Sequence, residues 1–265
     1  MNVNEIYKII SDLIPLDLCE DWDNSGLLVN MDNDVDRVLV TLDITKEVIR
    51  EAEAKGCKLI LSHHPVIFKG VKKVKRTDLI SLLIKKDISA ICMHTNLDSV
   101  MGGVNDVLAG IIGLNDVEIF ADMGRKGTLS EPVTVRELAE KVSGALKAPV
   151  KYTLGENTVK TVALIGGSAG SSWEQALNEG IDVFLTGEVS HHNALDAMHE
   201  GMPMIAAGHY GTEIIIVKHL AETLSGKIPG VSFIGSETDR DPFSYVFETE
   251  KAEQPVFRRA ARQRR

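Results

Sequence analysis

One stretch of this chain occurs twice. Residues 38–64, VLVTLDITKEVIREAEAKGCKLILSHH, align without a gap on residues 162–188, VALIGGSAGSSWEQALNEGIDVFLTGE, 124 positions later. Val38 falls on Val162, Ala52 on Ala176, Gly56 on Gly180, Leu61 on Leu185 and Ser62 on Thr186. Each copy reads as an apolar strand, a turn, a helix closed by glycine and a second apolar strand, which is a βαβ unit. The strands are continuously apolar, so both faces of each must be covered. The match resumes at an offset of 115, where residues 89–98, SAICMHTNLD, align on residues 204–213, MIAAGHYGTE. The loop 65–73, PVIFKGVKK, has no counterpart and accounts for the nine-residue difference. Helices are expected between the strands near residues 77–86 and 190–199. The opening helices echo each other too: Val3, Glu5, Ile6, Ile10 and Ile14 against Val135, Glu137, Leu138, Val142 and Leu146, with Thr134 as an N-cap.

The expected fold is therefore α/β, with two pseudo-symmetric halves built on βαβ units. The halves are 1–125 and 126–265, divided where Gly124, Gly127 and Ser130 interrupt the periodic pattern. Parallel sheets of this kind bind ligands beyond the carboxyl ends of their strands, which places the site at the interface between the halves.

The residues at those strand ends are unusual. One apolar strand runs into His63, His64 and Pro65, and the next into His94 and, four residues on, Asp98. In the second half the corresponding ends carry Gly187 and Glu188, then His209 and Glu213. Converging imidazoles and carboxylates suit a divalent metal, and a carboxylate can bridge two ions. Neighbours on a strand point to opposite faces, but His63 and His64 stand where the strand turns into Pro65. There the two rings can diverge toward two ions.

With these residues in view, the segments LSHHPVIFKG, MHTNLDSVMGGVND, LTGEVSHH and GHYGTE, in this order, resemble the Nif-three-like dinuclear metal-centre family, whose bacterial members are often called GTP cyclohydrolase 1 type 2 homologs. DWDNSGLLV near the start and DRDPF near the end extend the resemblance over nearly the whole chain. It implies a homohexamer of two-domain α/β subunits, each with two divalent cations (Zn, Fe, Mn, Co or Ni). It implies as ligands His63 and His64, Asp98, and His209 and Glu213. His94 and His191 resemble pocket residues near the metals and are the candidates for proton transfer. His94 aligns with His209, and a structural role serves it equally well; His191 and His192 follow Glu188 closely if a helix starts there.

Other features carry weaker signals. Lys69, Lys72, Lys73, Lys75 and Arg76 crowd the loop 68–76, as a solvated loop or as an anchor for a phosphorylated substrate. The run Gly166, Gly167, Ser168, Ala169, Gly170 lies between strand and helix, where amides can cradle phosphate, but it matches no phosphate-loop pattern. The basic end, residues 257–265, reads as a frayed terminus. Cys92, inside an apolar strand, reads as a buried structural thiol.

Composition closes off other classes. Lys and Arg number 29 against 38 Asp and Glu, a net charge of −9 that gives no general attraction to nucleic acid. No apolar run reaches the roughly 18 residues of a membrane span, and the start lacks a signal-peptide pattern. Three cysteines without a CxxC pair fit a reducing, cytoplasmic setting. The function expected is a dinuclear metal-dependent hydrolase acting on a nucleotide or another phosphorylated small molecule. The alternative is a non-catalytic metal-binding or regulatory ring, acting as chaperone or scaffold.

Overall fold

The computed structural model describes residues 1–246; the basic end at 257–265 lies outside the described residues. In chain order the first helices and strands are α1 (Val3–Leu13), β1 (Gly26–Val29), β2 (Arg37–Thr41), α2 (Lys46–Ala54), β3 (Leu59–Ser62), α3 (Leu79–Lys85), β4 (Ser89–Cys92), α4 (Thr95–Ser99) and α5 (Val104–Ile112). There follow β5 (Asn115–Phe120), β6 (Gly124–Thr134), α6 (Val135–Leu146), β7 (Lys151–Tyr152), β8 (Thr158–Ile165), α7 (Trp173–Asn178), β9 (Val183–Thr186), α8 (His191–His199), β10 (Met204–Ala206), α9 (His209–Glu213), α10 (Ile215–Lys227) and β11 (Ser232–Gly235).

Two sheets result, with strand orders β1-β4-β3-β2-β11 and β5-β6-β8-β9-β10-β7. The repeat becomes β2-α2-β3-α3-β4 in one and β8-α7-β9-α8-β10 in the other, each a set of three parallel strands. All residues of β3, β4, β9 and β10 are buried, as continuous apolarity required. Alternation sorts the side chains. Val38, Val40, Leu59 and Leu61 pack toward α1 and α10, whereas Leu39, Ile60 and Ala90 pack toward α2 and α3. In the other sheet, Val162, Leu164, Val183 and Leu185 meet α5 and α6, and Ala163, Phe184 and Met204 meet α7 and α8. Thr134 caps α6 in a full capping box with Glu137, matching the box that Asn2 and Glu5 form on α1. Among the described residues no helix is long and apolar enough to cross a membrane.

Three details depart from the sequence-based expectation. The first is the register of the repeat. Val40 pairs with Leu61 and Leu164 with Leu185, so Ser62 and Thr186 are equivalent, as aligned. Ser62 O then accepts from Met93 N and Thr186 O from Ala207 N, so Met93 matches Ala207 and His94 matches Gly208. His94 caps α4 while His209 is the first residue inside α9, one position further on. The pairs His94/His209 and Asp98/Glu213 are thus out of step by one residue. The second half spends its extra position on Gly208, whose φ of +80° is a conformation glycine adopts without strain.

The second detail is the junction. Gly124 and Gly127 do not interrupt the pattern but lie within the eleven-residue strand β6. A Cβ at Gly124 would come within 2.5 Å of Leu164 O, and one at Gly127 within 2.7 Å of Asn115 O. These glycines permit close backbone approach between strands. The third detail is the division itself. The second sheet begins at β5, before residue 125, and β11 returns to pair with β2 in the first sheet.

Candidate metal centre

Three pairs of ligand-type residues converge, each from a strand end. His63 and His64 follow β3; His94 and Asp98 head and occupy α4 after β4; His209 and Glu213 open and close α9 after β10. The four-residue spacing in a helical turn puts His209 and Glu213 on one face, with Nε2 and Oε2 3.1 Å apart.

Glu213 stands at the centre. Its Oε2 is 3.0 Å from His64 Nε2, while its Oε1 is 3.8 Å from His63 Nε2, which in turn is 3.7 Å from Asp98 Oδ1. Two overlapping donor sets follow, His64–His209–Glu213 and His63–Asp98–Glu213, and a third comprises His63, His64 and His94. Within each, the ligand atoms lie within 4.8 Å of one another, the spacing one ion can span.

Each imidazole is turned by a partner on its other nitrogen. His63 Nδ1 meets Met93 O at 3.1 Å, and His64 Nδ1 meets Asp43 Oδ1 at 2.9 Å. His94 Nδ1 meets Asp23 Oδ1 at 2.6 Å, and His209 Nδ1 lies 3.5 Å from Glu188 Oε2. Tying back Nδ1 leaves Nε2 aimed at the centre with the tautomer a metal ligand needs. His63 Nε2 is buried and has no hydrogen-bond partner, which is costly for a polar atom unless something binds there. The donor set therefore fits divalent ions.

The charges are mutually held. Burial disfavours ionised Glu213, but hydrogen bonds from His209 and His64 and the nearby charge of His63 outweigh it and keep the carboxyl well below its usual range. Burial also opposes protonation of His64, yet contacts with Asp43 and Glu213 push its pKa up to about 10. Asp98 is pushed up, first by burial and then by the nearby charge of Glu213. A divalent cation taking the place of the His64 proton would offset the Glu213 and Asp98 carboxylates together.

The segments behind the centre are shaped to it. Gly167 has φ +63°, and a Cβ there would run into Glu213 Oε1. Gly166 N donates to Asn105 Oδ1, Gly167 N to Thr212 Oγ1 and Ala169 N to Thr186 Oγ1. These three amides are already engaged within the protein, while Ser168 and Gly170 of the same run line the neighbouring cavity.

All five residues expected as ligands, with His94, are brought together. His191 is not among them: it is exposed at the head of α8 beside His192, and Ser190 and Asn193 of that turn line the neighbouring cavity instead. That cavity, of about 980 Å³, opens beside His64, His209, Asp43 and Glu188. Cys92 is buried, with its thiol pushed well up by burial, as expected of a structural cysteine. Asp23, Asp43 and Glu188 were not singled out from sequence as partners of the ring nitrogens. The available signals were the position of Asp23 in DWDNSGLLV and of Glu188 in LTGEVSHH.

Comparison with known proteins agrees with the family resemblance and the fold. Residues 1–242 match the family described as Duf34/NIF3 (NGG1p interacting factor 3). A GTP cyclohydrolase 1 type 2 homolog of Clostridium perfringens is 32% identical over 262 residues, covering 93% of this chain and all of the relative. One from Streptomyces coelicolor is 34% identical over 231 residues, covering 80% of this chain and 81% of the relative. Among solved structures, a hypothetical protein of Staphylococcus aureus is similar with a TM-score of 0.88 at 31% identity, covering 93% of this chain and 99% of that one. Reduced HcgD of Methanocaldococcus jannaschii has a TM-score of 0.77 at 27% identity, covering 89% and 97% of the two chains. With the match spanning nearly its whole length, the chain belongs to the Duf34/NIF3 family.

Proposed function

We propose that the protein is a hydrolase working with two divalent cations held by His63, His64, Asp98, His209 and Glu213. The position of Glu213 carries this reading: one carboxylate oxygen faces His64 and His209, the other His63. A carboxylate shared in this way offsets the repulsion between two dications. Bound there, the ions (Zn, Fe, Mn, Co or Ni by donor type) would supply a Lewis acid and bring the pKa of water toward neutrality.

The chain's own residues supply the rest. Asp43, Glu188 and Met93 O orient the ligand rings. His94 belongs to neither set that shares Glu213, and with Nδ1 fixed by Asp23 its Nε2 can take or give a proton. The cavity beside His64 and His209 admits a substrate of nucleotide size, which favours turnover over a closed storage site. The relatives' name makes a nucleotide the first substrate class to test, and the family resemblance adds a homohexameric assembly, to be checked by sedimentation.

Metal analysis is the primary test. Purified protein should carry close to two divalent ions per chain. Glu213→Ala should lose both ions and Asp98→Ala only one. Equal loss of one ion from each variant would remove the bridging role; one ion or none in the parent, with metal supplied throughout, would overturn the dinuclear reading. A metal-dependent product in a mass-spectrometric screen of nucleotides and phosphoesters would support hydrolysis. No product across the screen would favour the metal-binding or regulatory alternative.

A further inference from the structure

The large cavity lies on the His64 and His209 side of the centre. His94 is not among the residues that line it and carries a different surface. Trp22 is 59% exposed and Phe68 45% exposed, high values for such large apolar side chains. Their ring centroids are 6.0 Å apart, and both stand edge-on to His94, at 6.0 and 6.4 Å. His94 in turn lies 5.2 Å from His63 and 5.6 Å from His64, ring to ring. The two aromatics come from separate loops that are tied together, since Asn24 Nδ2 donates to Ile67 O. Asp23 next to Trp22 is itself fixed by hydrogen bonds from Thr95 and Ser25. The pair is thus a positioned platform, one imidazole away from the proposed metal ligands.

The chain leaves Phe68 directly into the loop 68–76. Lys69, Lys72, Lys73, Lys75 and Arg76 are all exposed there, and none makes an ion pair among the described residues. In a protein of net charge −9, five cations within residues 69–76, beside two exposed aromatics, form a local concentration of positive charge. This loop is also the insertion that the second half of the repeat lacks.

We propose that Trp22, with Phe68 tilted at 58° beside it, offers a stacking face and an aromatic wall for a planar heteroaromatic ring, and that the loop 68–76 binds the anionic group attached to it. The ligand class is a nucleoside polyphosphate or a molecule with the same two parts. Stacking tolerates any base because every base has a π-face, while the lysines supply charge attraction that salt weakens. The inference rests on the hydrolase reading for its substrate, but not for its measurement, which is binding.

Trp22 is a built-in probe, since the only other tryptophan, Trp173, is buried. In the full-length Trp173→Phe protein, GTP and ATP should each quench Trp22 emission saturably. Guanosine should do so only at higher concentration, and tripolyphosphate should compete without quenching. Calorimetry should show GTP binding about 5- to 100-fold weaker in Trp22→Leu and in Phe68→Ala, the range for loss of one base–aromatic stack. The pair Lys72→Ala and Lys73→Ala should weaken binding and flatten its salt dependence. Unchanged GTP affinity in Trp22→Leu would overturn the proposal. So would a change of oligomeric state in that variant without a change in affinity, because the surface would then belong to a second copy of the chain. Metal content of the same variants separates the two readings. Two ions with no nucleotide binding overturns the platform alone; nucleotide binding without any turnover overturns hydrolysis alone.

Discussion

Gly167 is the residue on which the centre's geometry depends most narrowly. Its φ of +63° and the contact a side chain would make with Glu213 Oε1 both exclude a Cβ. Gly167→Ala should therefore displace Glu213 while leaving every proposed ligand residue in the sequence. Stability should fall by about 1–3 kcal/mol, as for a strained backbone position, and metal content should fall well below that of the parent. Full metal content in this variant, measured by elemental analysis, would mean the carboxylate has room to move. The candidate ligands were legible in sequence because each follows closely on a strand end and the repeat marks the strands. Their supports were not. Asp23 reaches His94 across 71 residues and Asp43 reaches His64 across 21, in contacts created only by folding. A lone aspartate in a loop carries no signal of the histidine it will meet.

At the scale of elements, the βαβ units were readable because apolar runs, caps and glycine stops repeat in both copies. The one-residue slip between His94 and His209 was not, since both segments read as HxxxD or HxxxE and only the ladder distinguishes a cap from a first helical residue. The connection between α2 and the turn after β11 was equally hidden. Burial alone would raise the pKa of Glu51, but hydrogen bonds from Lys55, Ser236 and Thr238 side chains and from Glu237 N hold it at about 2. A carboxyl depressed from its ordinary 4.5 adds stability that is present above that value and is lost as pH falls toward 2. Glu51→Gln should cost about 1–3 kcal/mol at neutral pH, the scale for leaving buried donors poorly paired. Thermal unfolding across pH should show the gap to the parent closing below pH 4.5. A gap independent of pH would mean that the shape of the side chain matters and its charge does not.

For the molecule as a whole, the two sheets are joined through Arg125, a fully buried residue of β6. Its Nε and Nη2 each lie 2.7 Å from a carboxylate oxygen of Asp106, and its remaining donors reach the carbonyls of Ser99, Val100, Met123 and Gly124. Those first two carbonyls follow Asp98 directly, so the second sheet holds the segment that presents a proposed ligand of the first. Arg125→Met should lower stability by about 1–3 kcal/mol, by leaving the half-buried Asp106 carboxylate and the carbonyls around it without their donor. Adding Asp106→Leu should restore part of the loss; an additive double variant in denaturant titrations would show that the two residues act separately.

The return of β11 to the first sheet has a further consequence during biosynthesis. Until residues 232–235 leave the ribosome, the outer edge of β2 has no strand beside it, with backbone donors and acceptors free to recruit another nascent chain. The early part of the protein therefore waits, incompletely closed, for nearly all of the rest to be translated. A stalled or truncated product ending before Ser232 should aggregate where the finished one does not.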